Sequence, residues 1–202
     1  MDKDKMYARL KAPFKASKVS WRVGSMSYHD QAKKEPKAAI ALAYLDARDV
    51  MNRLDEVFGL NWQCRYSHAD KKTVCEIGVL VDGVWIWRAN GAGDSDIEAE
   101  KGALSDAFKR AAVLFGIGQY LYDLPNEWHE VDAYKRFKKP PTLPKGFYPE
   151  VTQKQAVDFV ERIKAVSGEY RQAIIKEARF ACSEAEDKAM WDFIQSEIKE
   201  EK

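Results

Sequence analysis

Residues 91–122, GAGDSDIEAEKGALSDAFKRAAVLFGIGQYLY, constrain this chain more than any other stretch. Gly91, Gly93, Asp94 and Ser95 predict a polar turn, and Gly116 and Gly118 mark the other end. The residues between read as a helix. Asp94 or Ser95 can cap it, because a short side-chain oxygen reaches the unpaired amides of a first turn. Asp96, Glu98 and Glu100 put negative charge at the positive end of the helix dipole, and Lys109 and Arg110 lie toward its negative end. Ile97, Leu104, Phe108, Ala111 and Phe115 recur at helical spacing, which predicts one buried face. Gly116 is the expected stop, since glycine enters the left-handed conformation without a Cβ clash.

Lys109 and Arg110 stand among Ala107, Ala111 and Ala112, so two long cations have small neighbours and room to reach a ligand. The plainer reading is a solvated helix face on which Asp106 and Arg110 form an i,i+4 ion pair. The physics of the residues leaves both open.

Net charge is only +1, so any surface for a polyanion must come from local segregation of charge. Cys64, Cys75 and Cys182 are odd in number and scattered, which fits neither a metal cluster nor a disulfide framework and points to a reducing compartment. The opening MDKDKMYARLK has no apolar leader-like core and no run approaches a membrane span, so a cytoplasmic protein is expected. His29, His68 and His129 are too dispersed to suggest a ligand set or a triad.

Residues 5–14 predict a short helix with Met6 and Leu10 inward. Residues 25–36 read as a polar loop, with Lys33, Lys34 and Lys37 facing solvent. Residues 37–44, KAAIALAY, favour helix by alanine propensity. Val50, Leu54, Val57 and Phe58 form a helical stripe closed by Gly59. Arg48 and Arg53 lie off that stripe, as candidates for a nucleic-acid face or as partners of Asp46, Asp49, Asp55 and Glu56. Residues 61–68, 73–81 and 84–90 are β-branched and aromatic, and Asp82-Gly83 predicts a two-residue hairpin with positive φ at both positions. Trp62, Tyr66, Trp85 and Trp87 on these strands suit core or interface packing better than base stacking. Arg65 and Arg88 interrupt the apolar pattern and are candidates for phosphate contact. Residues 126–151 gather prolines and lysines as a basic, semi-extended linker. Thr152 to Gln155 fits a capping box, and three amphipathic helices are expected through residue 202.

Lys101-Gly-Ala-Leu-Ser-Asp-Ala-Phe-Lys-Arg-Ala-Ala-Val-Leu-Phe-Gly116 resembles the signature helix of the Rad-type single-strand annealing proteins, a superfamily with phage Sak, DdrA-like and eukaryotic recombination-mediator members. Residues 52–62, NRLDEVFGLNW, are a second match, and QYLYDLP at 119–125 resembles the ending of phage members, with Gln119 where an arginine is common. Val113 likewise stands where eukaryotic relatives are basic. The resemblance covers residues 5–125 and implies an α+β fold: a β-β-β-α core whose antiparallel sheet packs on a long helix, with a strand entering Tyr44. A small C-terminal helical module follows. Residues 126–202 stand outside the resemblance; with the linker and helices read from the residues, the expected organisation is an annealing domain over 1–125, the linker over 126–151 and the helical module over 152–202.

The function implied is binding of single-stranded DNA and ATP-independent annealing of complementary strands by an oligomeric ring. Lys109 and Arg110 would lead the contact, with Lys101, Arg48, Arg53, Arg65 and Arg88 as additions. No catalytic residue, cofactor or metal is implied, and no Walker-type phosphate loop occurs in the sequence. The helical module is a candidate dock for a single-strand binding protein or an exonuclease. Two other classes compete. A metal-dependent nuclease would use Asp82, Asp94, Asp96, Glu98, Glu100 and Lys101, although Glu98-Ala-Glu100-Lys101 lacks the acid-x-Lys spacing. A pure adaptor would use the β-β-β-α unit for assembly alone.

Overall fold

The computed structural model describes residues 3–69, 72–93 and 99–199, without the side chains of Ala69 and residues 99–101. The expected caps Asp94 and Ser95, the charges of Asp96, Glu98 and Glu100, the apolar Ile97 and the cation of Lys101 therefore lie outside the described residues. Two compact units are present: Met1–Pro13 with Lys18–Pro141, and Phe14–Ser17 with Thr142–Lys202.

In the first unit α1 (Lys3–Lys11) precedes a long hairpin of β1 (Val19–Asp30) and β2 (Glu35–Leu45). Then follow α2 (Ala47–Phe58), the strands β3 (Trp62–Ala69), β4 (Lys72–Val81) and β5 (Val84–Gly93), the helix α3 (Ala99–Val113), and β6 (Trp128–Glu130). The described strands form two antiparallel sheets, ordered β1-β2-β6 and β3-β4-β5. The fold is α+β, and β3-β4-β5-α3 is the expected β-β-β-α element.

α2 follows its local signals closely. Asp46 caps it by accepting from the Arg48 amide at 2.9 Å, and Val50, Leu54, Val57 and Phe58 are its buried residues. The β4–β5 register pairs Val81 with Val84 across Asp82-Gly83, whose φ angles are 50° and 80°. That is the primed turn the dipeptide predicts.

β4 buries Cys75, Ile77 and Val79 on the face that α3 covers. Phe108 of α3 is fully buried, 6.1 Å from the Trp62 ring, and Trp62 Nε1 donates to Asp55 Oδ1 at 2.7 Å. Trp62 thus packs the core with its one polar atom satisfied, as a half-buried indole requires. Trp85 and Trp87 stand on the other face of the sheet, 6.0 Å apart.

Several expectations need correction. Residues 25–36 are not a loop: β1 and β2 run through them, leaving only a turn at 31–34. β1 carries register shifts after Val23, Ser27 and Tyr28, so its period-two alternation is broken in the sequence. Residues 37–44, where alanine propensity favoured helix and the resemblance implied a strand entering Tyr44, are strand, because β2 is hydrogen-bonded on both edges, to β1 and β6, and pairing overrides helix propensity. Gly91 and Gly93 extend β5 and do not open a turn. The buried face of α3 is Ala103, Ala107, Phe108, Ala111 and Ala112, and Leu104 is 41% exposed. The sheet takes the alanine row, whose small side chains permit close approach. Within the basic 126–151 stretch, β6 pairs with β2, Val131 bridges Phe137 and is buried, and Lys138 N donates to Glu130 O at 3.0 Å.

The second unit is a three-helix core: α4 (Gln153–Lys164), α5 (Gly168–Glu184) and α6 (Lys188–Lys199). Thr152 forms the expected capping box with Gln155. Ala156, Phe159, Val160 and Ile163 of α4 bury against Ala178, Cys182 and Ile194.

Candidate nucleic-acid interface

A groove of about 370 Å³ opens in the first unit. One wall is the end of β2, Ala41 to Leu45, with Arg22 of β1. The opposite wall is the outer side of α3 with Asp106, Lys109, Arg110 and Val113. The floor and far lip come from Ile117 to Asn126.

Backbone geometry after α3 makes this shape. Gly118 has φ of 71° and sits so close to β2 that a Cβ there would meet Leu45 Cδ1 at 2.8 Å. Left-handed backbone and missing side chain together turn the chain back into a 3-10 turn at Gln119–Asp123, which carries Leu121 and Tyr122 to the groove.

Lys109 is half-buried, with Nζ 5.2 Å from the centre of the Tyr44 ring. Arg110 is exposed and pairs with Asp106, Nε to Oδ2 at 3.0 Å. Asp46 lies close by: the Arg48 guanidinium, then the Arg48 backbone amide, and also the Lys109 charge hold its carboxyl below the ordinary carboxylate range. Arg48 donates from Nε to Asp46 Oδ1 at 3.0 Å. Lys109, Arg110 and Arg48 therefore share one neighbourhood, each facing a carboxylate or an aromatic ring that a phosphate can replace. Tyr44 and Tyr122, 37% and 72% exposed, add aromatic surface.

Three other candidates stand elsewhere. Arg53 Nη1 donates to the carbonyls of Arg9 at 2.8 Å and Ala12 at 2.7 Å, which caps the open C-terminal end of α1; its side chain is only 12% exposed. Arg88 donates to the Leu114 carbonyl and lies over the Phe115 ring at 4.9 Å, so it closes the C-terminal end of α3. Arg65 pairs with Glu76 and covers the Trp87 ring at 4.3 Å, on the sheet face away from α3. These three arginines serve packing and helix ends.

Sequence reasoning missed Arg22, Tyr44 and Tyr122 as groove residues. Arg22 is exposed on β1 opposite Leu42 and makes no ion pair among the described residues. A Trp-Arg-Val strand carried no signal of which face it would show. Of the residues of the nuclease alternative, Asp82 pairs with Lys3 at 2.7 Å and the others lie outside the described residues; among those described no group of acids, histidines or cysteines could hold a metal ion. No described helix is long and apolar enough to cross a membrane.

The model of the Rad52/22 family of double-strand break repair proteins matches residues 2–139. The chain belongs to that family. It is 40% identical over 146 residues to the single-stranded DNA-binding protein DdrA of Deinococcus radiodurans, covering 70% of this chain and 67% of the relative. It is 37% identical over 145 residues to the single-stranded DNA-binding protein DdrA of Deinococcus deserti, covering 70% and 69%. No solved structure matches the chain. The matched region takes in the groove and every groove residue named above, and ends before the three-helix unit.

Proposed function

We propose that this chain binds single-stranded DNA in the groove and anneals complementary strands without ATP, as a cytoplasmic oligomeric ring acting in recombination and double-strand break repair. The observation that carries the reading is the convergence of Lys109, Arg110 and Arg22 on one groove beside Tyr44 and Tyr122. Cations neutralise phosphates and release counterions, while aromatic faces stack on any base, so the pairing suits a single strand of any sequence. The DdrA relatives, named as single-stranded DNA-binding proteins, support the same ligand. Arg48, paired with the Asp46 that also feels the Lys109 charge, extends the track in this reading, and Lys101 is assigned to it from its position in the signature helix.

Annealing is downhill, because base pairing supplies the free energy. The protein has only to hold one strand by its backbone and leave the bases open to test a second. A chain with net charge +1 acquires a continuous cationic track by repeating its groove in an oligomer, which supports the ring. In this reading the annealing domain is the first unit, which runs on past the expected boundary at 125 through β6 to Pro141, and residues 152–202 dock a single-strand binding protein or an exonuclease. The test follows labelled complementary oligonucleotides without nucleotide, with and without Mg²⁺, reading pairing and strand length together. Faster pairing of intact strands is expected, on a particle several protomers in size by light scattering. Metal-dependent shortening would refute the reading in favour of a nuclease.

A further inference from the structure

In the second unit, α5 is apolar on two sides. Its inner side, with Ile174, Ala178 and Cys182, packs into the three-helix core beside Ile163 and Ile194. Its outer side carries Tyr170, Ala173 and Phe180 along one stripe, all exposed, Tyr170 at 79% and Phe180 at 67%. A helix that covers a single core turns a polar face to water, so a second apolar stripe points to a second contact. From Tyr170 to Phe180 the stripe rises about 15 Å at about 1.5 Å per residue, the reach of about five residues of extended chain.

Beside that stripe, on the next row of the same face, stand Lys176 and Arg179. Neither has a carboxylate within helical reach. Three and four positions from Lys176 are Gln172, Ala173, Arg179 and Phe180; from Arg179 they are Ile175, Lys176, Cys182 and Ser183. Both cations are exposed and make no ion pair among the described residues. Two like charges one turn apart with no acid between them slightly disfavour the free helix, and an acidic partner relieves that repulsion. Three other cations of the unit are engaged: Arg162 forks onto Glu177 at 2.9 and 3.3 Å, Lys15 pairs with Glu184 at 3.0 Å, and Arg171 donates to the carbonyls of Ile163 and Ile198 at 3.4 and 3.5 Å.

We propose that the outer face of α5 docks an acidic peptide with an apolar side chain, presented by a partner protein. Phe180 and Tyr170 take the apolar group, and Lys176 and Arg179 take the carboxylates. This names the partner chemistry of the docking assigned above to residues 152–202 and rests on that reading. Charge favours a peptide over nucleic acid. Residues 152–202 hold more acids than bases, Glu177 lies one turn before Phe180, and two cations on one helix make no phosphate track. A peptide can set its carboxylates beside Lys176 and Arg179 and its apolar side chain beside the rings, clear of Glu177. The family match ends at residue 139, so this face lies outside the matched region.

The experiment titrates a fluorescein-labelled peptide, Asp-Glu-Asp-Leu-Asp-Phe, against the full chain and reads anisotropy. Wild type is compared with Lys176→Gln/Arg179→Gln and with Phe180→Ala, exposed positions whose variants should keep the circular dichroism of wild type. Each variant should weaken peptide binding about fivefold or more, and only the glutamine variant should also flatten its salt dependence. No binding by wild type, or equal binding by both variants, overturns the proposal. A smaller particle by light scattering in either variant would make the face a contact between copies of this chain, and overturns it too. So does a loss of residual single-strand binding when Lys176→Gln/Arg179→Gln is added to Lys109→Ala/Arg110→Ala, which would make the face a nucleic-acid contact. The docking reading is scored apart, by capture of a purified single-strand binding protein or exonuclease on the immobilised full chain. Capture undiminished by the variants sinks the α5 face and keeps the docking reading. Variant-sensitive peptide binding without capture of either protein keeps the face and refutes that pair of partners.

Discussion

Lys109→Ala with Arg110→Ala tests the groove most directly, because structure predicts a small cost in stability and a large one in binding. The pair Arg110–Asp106 is a half-exposed i,i+4 contact, worth about 0.3–0.5 kcal/mol. The Lys109–Tyr44 contact at 5.2 Å adds about 0.5–1 kcal/mol. Alanine recovers a few tenths through helix propensity. The net loss of about 1 kcal/mol is small against a typical stability of about 5–15 kcal/mol, so the variant should fold. Binding responds differently. Each phosphate neutralised on a single strand contributes about 0.7 to the slope of log affinity against log salt, so losing two contacts flattens that slope by about 1.4. At about 0.1 M salt, one decade below the 1 M reference, this amounts to about 25-fold in affinity, or about 2 kcal/mol. At about 0.5 M it shrinks to about threefold. Fluorescence anisotropy of a short labelled strand, titrated at several salt concentrations, measures both quantities. Asp106→Asn supplies the opposite arm: freed of its carboxylate, Arg110 should bind up to about fivefold tighter at low salt. A folded double mutant with unchanged affinity and unchanged slope would refute the reasoning.

Two further outcomes follow from the local chemistry. Asp46→Ala removes the cap of α2 and should cost about 1 kcal/mol, about 2–4 °C in Tm, while Asp46→Asn keeps the cap. Because the Asp46 carboxyl is held below its ordinary value, its ionic contribution is present above about pH 4 and lost as pH falls through the folded value; wild type should therefore lose stability in acid more steeply than Asp46→Asn. Calorimetry across pH 2.5–7 checks both, and parallel acid curves would contradict the role. The fully buried Cys75 thiol is pushed by burial, and then by Cys64, from 9.0 to about 12. At pH 8 its thiolate fraction is about one in ten thousand, so native protein should leave Cys75 unalkylated by iodoacetamide and urea should expose it. A raised thiol pKa favours the folded state below the unfolded value near 9, and that advantage declines as pH rises toward 12. Rapid native labelling at Cys75, read by peptide mass spectrometry, would refute the burial argument.

Local chemistry was legible from the sequence. α2 with its Asp46 cap, the Asp82-Gly83 hairpin, the capping box at Thr152 and the α4 stripe all depend on residues within a few positions of one another, where periodicity and turn preference act. Lys109 and Arg110 stood out only by the resemblance of their helix to a family signature, since local physics left a solvated helix face equally open. Tertiary contacts decided the rest. Residues 25–36 became strand because β2 supplies a partner across register shifts that hide the alternation. The alanines of β2 follow two flanking strands and not their own propensity. Arginines look alike in sequence, yet Arg53 and Arg88 close helix ends, Arg65 covers Trp87 and Arg22 faces the groove, since a guanidinium goes to whichever carbonyls, carboxylates and rings the folded chain brings within reach. Lys37 and the 126–151 stretch meet only through the β2–β6 pairing, a contact across about ninety residues that no local pattern encodes.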